Sequence, residues 1–345
     1  MHAPQLSRRL GSISALSFIS FCIGCAGGIT SSVVAAEAAQ QSPATRAAES
    51  NAATTARSTP AAAPETRPAT QPTDAGPAAQ LPYTLTRFAR EGPITGVAVK
   101  LDLSNPRVHV VTALTNEEDP DGAGPAVGKL DTMVAAADRH DLEIAMNASF
   151  FAVTGSRVVA GKKVGYFVGN GGHPQGWLRV DGRTLTEPKR PELRTCVVVH
   201  EDGRVTLQEN ATVLPPDARY AVSGNAKVLT KGEPTPSDDK SRHPRSAVGL
   251  SADGKTLILL AVDGRRAGVS RGVTLAEEAA LLKEFGASEG INLDGGGSTA
   301  LVIKDAVTGA HAIANRPSEK FSLAPELDSV QRPVIDLIGV QIDDD

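Results

Sequence analysis

The stretch GINLDGGGSTALVI, Gly290 to Ile303, decides how this chain is read. One apolar, strand-like run leads into Asp294 and another leaves from Ala300, with three consecutive glycines between them. An aspartate at the C-terminal end of a strand is a common place for chemistry in α/β sheets. Glycine at such a place admits positive φ and lets a ligand approach with no Cβ in the way. Successive backbone N–H groups in a turn of this kind form a small anion-binding nest, and Ser298 and Thr299 add hydroxyl donors. The segment can therefore present one carboxylate beside several N–H donors, which suits a substrate with an anionic group next to an electrophilic carbon. A tight glycine-rich hairpin without a ligand would explain the same residues, and the motif alone does not separate the two readings.

Working outward, TLAEEAALLKEFG (Thr274 to Gly286) is the clearest helix. Thr274 and Glu277 form a capping box, Leu275, Leu281, Leu282 and Phe285 are apolar, and Gly286 is the stop. ITGVAVKLDL (Ile94 to Leu103) and RVHVVTAL (Arg107 to Leu114) read as strands joined through a Ser-Asn-Pro turn. AVGKLDTMVAAADRH (Ala126 to His140) has helical spacing, and LEIAMN (Leu142 to Asn147) is a buried strand. Three segments carry hairpin signals with Asp-Gly at the tip: GWLRVDGRTL, RTCVVVHEDGRVTLQE and PRSAVGLSADGKTLILLAVDGR. These patterns predict a single α+β domain over residues 81–345, built on a mixed β-sheet with few helices. Its site is expected in loops at strand ends. No internal repeat and no second domain is visible.

The chain has 345 residues, with 35 Lys and Arg against 39 Asp and Glu, a net charge of −4. Such a balance argues against nucleic acid or a polybasic membrane surface as the main partner. Residues 1–35 read as a secretory leader: Arg8 and Arg9 precede an apolar stretch from Leu10, with Val33, Val34 and Ala35 at a cleavage site. Cys25 stands where a lipoprotein acceptor would, although Cys22 replaces the usual aliphatic residue. Residues 36–80 collapse to Ala, Pro, Thr, Ser and Gln, too little apolar surface to offset chain entropy, and read as a disordered tether. The expectation is an exported protein, periplasmic or at the cell surface, touching a membrane only through the leader or a lipid anchor. Cys196 alone remains after the leader, in the apolar run RTCVVVH, so it reads as a small buried hydrophobe and not as half of a disulfide.

Further blocks give Asp294 its company. NASFF opens with Asn147, HPRSAVGL carries Arg245, AVDGR holds Asp263 and Arg265, and Arg271-Gly272 precedes the capped helix. In this order the blocks N-A-S-F-F, P-R-S-A-V-G, V-D-G-R, R-G-V-T-L-A-E and N-L-D-G-G-G-S resemble the phosphodiester glycosidase family. The resemblance covers about Asn147 to Ile303, with a looser tail at QRPVIDLIGV. Ala148-Ser149 departs from it, because a glycine often follows the asparagine.

The resemblance implies hydrolysis of a sugar-1-phosphodiester, N-acetylglucosamine-1-phosphodiester-like, at the sugar C–O bond. The products would be a free sugar and a phosphomonoester. Phosphate is a good leaving group, so the demand falls on holding the anion and stabilising an oxocarbenium-like centre. Arginine suits the first task and a carboxylate the second. Asp294 is the expected carboxylate and Asp263 the second acid. Arg245 is the first phosphate clamp and Arg265 the next. Asn147 is expected on sugar hydroxyls or phosphate, with Gly295, Gly296, Gly297 and Ser298 lining the same site. Whether Asp294 attacks or activates water, and whether configuration is retained, stays open.

Structural explanations compete for several of these residues. Asp263 could form an Asx-type turn; the capping box accounts for Glu277; Phe150 and Phe151 could be core and not a sugar platform, with at least one of them core. His173 and Trp177 could line the sugar site or a loop over it, with the histidine read as a loop residue; His243 could assist as an acid but reads as a solvent-exposed loop histidine, and Asp238-Asp239-Lys240 reads as a solvated loop face. No His/Cys/Asp spacing identifies a zinc site, no cofactor is required, and loop oxygens could take calcium without anything calling for it. Two rival functions are a non-catalytic glycan-binding or exopolysaccharide-assembly protein, and a metal-assisted phosphodiesterase cutting P–O. The oligomeric state is left open.

Overall fold

Runs of β-branched residues closed by Asp-Gly tips favour local antiparallel pairing, and antiparallel pairing is what the computed structural model shows. It describes residues 81–118, 124–159, 161–319 and 331–344, all within the compact unit Pro72–Asp345. The leader and tether expected at 1–35 and 36–80 lie outside the described residues.

A seven-stranded sheet runs in the order Tyr83–Arg90, Ile94–Asp102, Thr256–Val262, Arg245–Leu250, Glu289–Asn292, Ala226–Thr230, Glu233–Pro234. A second sheet has five strands: His311–Ile313, Leu301–Lys304, Ile144–Asn147, Asp336–Ile342 and Val108–Leu114. A third, also of five, orders Arg183–Thr186, Leu178–Val180, Ala218–Gly224, Thr195–His200 and Val205–Gln208. A three-stranded piece (Gly128–Lys129, Gly171–Pro174, Phe151–Val153) and the hairpin Arg157–Val159 with Lys162–Val164 complete the strands. Every ladder among the described residues is antiparallel, which corrects the mixed sheet expected from sequence. Parallel neighbours need long crossovers, usually helical, and the described residues hold just two α-helices, Met133–Arg139 and Leu275–Glu284.

All three expected hairpins form. The two strands flanking Ser-Asn-Pro do not pair with each other; they belong to different sheets. The first helix is shorter than its apolar spacing predicts. Gly128 and Lys129 pair with Gly172 and Gly171 instead, and Thr132 caps the helix by accepting the Ala135 N–H at 3.3 Å.

The main core lies between the sheets. Val99, Val248, Leu259 and Ile291 of the first meet Met146 and Ile338 of the second and Val197 and Val222 of the third, all buried. Burying each such side chain stabilises the fold by roughly 1.5–3 kcal/mol. On its other face the first sheet buries Ala247, Ile258 and Leu260 under Ala279 and Leu282 of the second helix. The second sheet likewise buries Ala145 and Leu337 under Ala136 and Ala137 of the first helix. Cys196 is fully buried in a smaller cluster, and burial pushes its thiol up to about 12, so it is an inert core residue.

Register decides where chemistry can gather. Arg245 pairs with Val262 and Ala247 with Asn292, so the start of one strand and the ends of its two neighbours share one end of the first sheet. In the second sheet Leu301 pairs with Met146 and Leu337 with Asn147, which brings Asn147, Ala300 and Asp336 to one end. Those two ends meet.

Candidate active site

Asn147 makes the join. Its Nδ2 donates to the Asp294 carbonyl at 2.6 Å, and its Oδ1 accepts from the Ser246 hydroxyl at 2.7 Å and the Ala300 N–H at 3.1 Å. The residue is 1% exposed, so both lone pairs and one N–H are occupied by protein. Asp294 is held a second time, its N–H donating to the Ala148 carbonyl at 2.9 Å. The chain is thus tied to the neighbouring sheet on both sides of the Asp294 Cα, which fixes where its side chain emerges.

The glycines after it form a single 3-10 turn, Gly296–Ser298. Gly296 has φ +64, and a Cβ there would stand 3.1 Å from the Arg265 guanidinium. A Cβ on Gly297 would collide with the Glu319 carboxylate and the Arg332 guanidinium. The triple glycine therefore lets two arginines close over a bare backbone. The expected nest is largely occupied from within: the N–H groups of Gly296, Ser298 and Thr299 donate to the carbonyls of Pro244, Gly295 and Gly296. Ser318 donates from its hydroxyl to the Gly296 carbonyl at 3.1 Å and pins the turn from outside.

Asp294 is partly exposed at the lip of this turn. Burial pushes its carboxyl up to about 7; the Ser298 hydroxyl, the Arg332 charge and the Gly295 N–H oppose that rise, and the charge of Asp336 adds to it. Arg332 is firmly set. Its Nε donates to Glu319 Oε2 at 2.6 Å, and its guanidinium carbon lies 4.2 Å from the centre of the Tyr166 ring. Tyr166 in turn packs edge-on against Phe151, ring centres 5.7 Å apart. On the opposite side Arg265 is exposed, adopts φ 58, and donates to His243 Nδ1 at 3.1 Å. Burial, then the charges of Arg245 and Arg265, hold the His243 pKa below its usual value, and its Nδ1 accepts from the guanidinium, which can only donate.

The structure brings Asp294, Gly295, Gly296, Gly297, Ser298 and Arg265 together. Arg245 belongs to different company. Successive strand residues face opposite ways, and while Ser246 turns to Asn147, Arg245 turns toward the second helix. There it meets the carbonyls of Val273 and Ser241, each at 3.4 Å, and Asp239 at 3.9 Å. Its charge also acts on Glu278, a fully buried carboxyl with no partner on either oxygen, which burial pushes up to about 8. Asp263 is 3% exposed and has both oxygens occupied. Oδ2 accepts from Thr95 Oγ1 at 2.7 Å, and Oδ1 from the Arg316 N–H at 2.6 Å and Asn315 Nδ2 at 3.3 Å. Burial raises its pKa against those bonds. It ties its own segment to the strand of Thr95 and to Asn315–Arg316, while the acid whose field reaches Asp294 is Asp336.

Arg332 and Asp336 had a signal in the sequence, the block Arg-Pro-Val-Ile-Asp opening an apolar strand. Glu319 and Tyr166 had none. Trp177 is core, its Nε1 donating to the Ala211 carbonyl at 3.0 Å, and Glu277 caps the second helix while pairing with Arg242. Among the described residues no group of three or more His, Cys, Asp or Glu is placed to hold a metal ion. No described helix is long and apolar enough to cross a membrane. Chemically, the site offers one carboxyl at the lip of a glycine turn that two guanidinium groups approach. That arrangement can hold an anion and move a proton beside it.

The family model for phosphodiester glycosidase matches residues 140–341. No curated protein matches. Among solved structures, the catalytic domain of zebrafish N-acetylglucosamine-1-phosphodiester alpha-N-acetylglucosaminidase, auto-inhibited by its pro-peptide, is similar at TM-score 0.50 and 18% identity, over 76% of this chain and 82% of that one. A hypothetical protein from Synechocystis is similar at TM-score 0.51 and 15% identity, over 76% of this chain and 62% of that one. At these identities the solved structures speak for the fold. The family match spans more than half of the sequence, and the chain belongs to the phosphodiester glycosidase family.

Proposed function

We propose that this family member is an exported hydrolase that cleaves the sugar C–O bond of a sugar-1-phosphodiester in a glycan or envelope polymer. The observation that carries the reading is the placement of the Asp294 carboxyl at the lip of the glycine turn, with Arg265 over Gly296 and Arg332 over Gly297. The two guanidiniums hold the phosphodiester anion. The sugar C–O bond breaks with the electron pair leaving on the phosphate oxygen, so little general-acid help is needed. Water adds to the anomeric carbon and gives a proton to Asp294, whose pKa near 7 suits a general base at neutral pH. Asp263, Asn147 and Arg245 hold the frame: the first two have their acceptor oxygens occupied, and the third turns toward the second helix. The leader-like residues 1–35 support export.

The test is to incubate the full chain and Asp294→Asn with UDP-N-acetylglucosamine and simple α-sugar-1-phosphodiesters in oxygen-18 water. Label in the released sugar, lost in the variant, is the expected result. Label in phosphate would mean P–O cleavage. Sugar-phosphate binding without release in either protein would make this a glycan-binding protein.

A further inference from the structure

Two guanidiniums approach the glycine turn, and different chemistry holds each. Arg332 donates through Nε to a Glu319 oxygen and pairs with the same oxygen through Nη2, so its charge is answered on the spot. Among the described residues Arg265 meets no carboxylate, and its side chain makes one hydrogen bond, from Nη2 to His243 Nδ1 at 3.1 Å. A guanidinium carries donors alone, so Nδ1 presents a lone pair and the neutral ring keeps its proton on Nε2. Such an acceptor orients the guanidinium without cancelling its charge. The imidazole stands on a firm base. The His243 N–H donates to the Val273 carbonyl at 3.1 Å, and the Val273 N–H donates back at 3.0 Å. A Cβ on Gly272 would stand 2.5 Å from the His243 carbonyl oxygen, and one on Gly264 would stand 2.7 Å from the Pro244 nitrogen, so bare backbone packs on this segment from two sides. Pro244, the next residue, accepts the Gly296 N–H at 2.9 Å. Consecutive residues thus hold the turn and the arginine above it. Arg265 itself adopts φ 58, which a residue with a Cβ does at a cost. That backbone aims its guanidinium at Gly296, where a Cβ would stand 3.1 Å from both terminal nitrogens.

We propose that neutral His243 is a positioning residue that holds Arg265, its charge uncompensated, over the glycine turn to receive the substrate's phosphodiester anion, and that protonation of His243 releases it. The receiving role rests on the sugar-phosphodiester reading; the bond between the two side chains does not. A second ring proton would set one N–H against another and one cation against another, and the exposed guanidinium would turn to solvent. Burial favours the neutral ring, as do the charges of Arg245 and Arg265, while Asp239, 3.9 Å from Arg245, opposes them. From the second helix, Glu277 is taken up by Arg242 and Arg271. The hold is therefore present above the His243 midpoint and lost as pH falls through it.

Calorimetric titration with UDP-N-acetylglucosamine, on the full chain carrying Asp294→Asn, tests this without turnover and without the titration of Asp294. The probe's phosphodiester groups lack the second ionisation of a monoester, so a pH effect on affinity reports the protein. In this parent the affinity should fall about tenfold from pH 8 to pH 5. His243→Asn places an acceptor oxygen near the position of Nδ1 and takes up no proton. It should match the parent at pH 8 and stay within about twofold of that value at pH 5. His243→Ala should bind about tenfold more weakly at pH 8. Equal affinities in the asparagine and alanine variants, or a pH dependence that survives in the asparagine variant, overturn the proposal. Nitrogen-15 NMR of the histidine rings examines the bond with no ligand present, and His243→Asn identifies the signals. Nδ1 should be unprotonated in the neutral ring, and the His243 midpoint should rise by roughly half a pH unit in Arg265→Ala. A proton on Nδ1, or an unmoved midpoint, likewise overturns it. A parent that binds no probe while both NMR results hold would sink the sugar-phosphodiester reading and leave the bond standing.

Discussion

Asn147→Ala separates a residue that holds the fold from one that holds a substrate. The substitution strips three hydrogen bonds at once, to the Asp294 carbonyl, the Ser246 hydroxyl and the Ala300 N–H. Asn147 and Ser246 are 1% and 0% exposed, so water cannot readily replace the lost partners. A buried polar group left without its partner costs about 1–3 kcal/mol. Three such groups share one locus and relax together, so the costs do not add in full. The expected loss is about 3–5 kcal/mol, allowing for the small cavity. In a domain of this size that is roughly 5–9 °C in Tm. Urea unfolding followed by far-UV circular dichroism gives the free energy, and the midpoint should fall with the slope unchanged. Asn147→Asp keeps the shape but buries a carboxylate with one oxygen set against the Asp294 carbonyl, and should cost at least as much as alanine. A loss under about 1 kcal/mol accompanied by a large drop in sugar-phosphate binding would refute the reasoning. Asn147 would then be a ligand-binding residue after all.

Gly297→Ala should reduce sugar release at least tenfold while moving the urea midpoint little, because its Cβ displaces the Arg332–Glu319 pair and not the core; steady-state kinetics beside unfolding shows it. Glu278→Gln should flatten the pH dependence of stability. The folded-state pKa of Glu278 is raised to about 8 from 4.5, so the native state binds the extra proton and wild-type stability falls as pH rises between those two values. Urea midpoints at pH 5 and pH 8 should therefore converge in the variant. Glu277→Ala, which removes the capping box and the Arg242 pair, should cost about 1–2 kcal/mol; calorimetry checks this, and an unchanged Tm with lost activity would assign Glu277 to the site.

Local chemistry was sufficient for the elements whose partners are near in sequence. Asp-Gly tips, a capping box and alternating apolar runs specified three hairpins and the second helix, because their hydrogen bonds close over a few residues. The shared blocks likewise marked the glycine turn and the aspartate before it. Non-local pairing escaped this reading. The first helix lost its opening turns to a ladder with Gly171 and Gly172, and antiparallel order followed from which strands meet across the core.

Within the site, sequence identified residue types but not the direction in which they point. Arg245 and Ser246 are adjacent, yet strand alternation sends one to the helix side and the other to Asn147. Asp263 and Asp336 are both buried carboxyls, and only the fold decides that the first binds loops while the second faces the peptide behind Asp294. Arg332 reaches the glycine turn from the segment before the last strand, and Tyr166 packs on its guanidinium from a third place. Composition and motif thus determined a β-rich chain with a glycine turn after an aspartate. Tertiary structure alone chose the arginines and the acid around it, because a side chain's neighbours across sheets depend on register and facing, which no local propensity encodes.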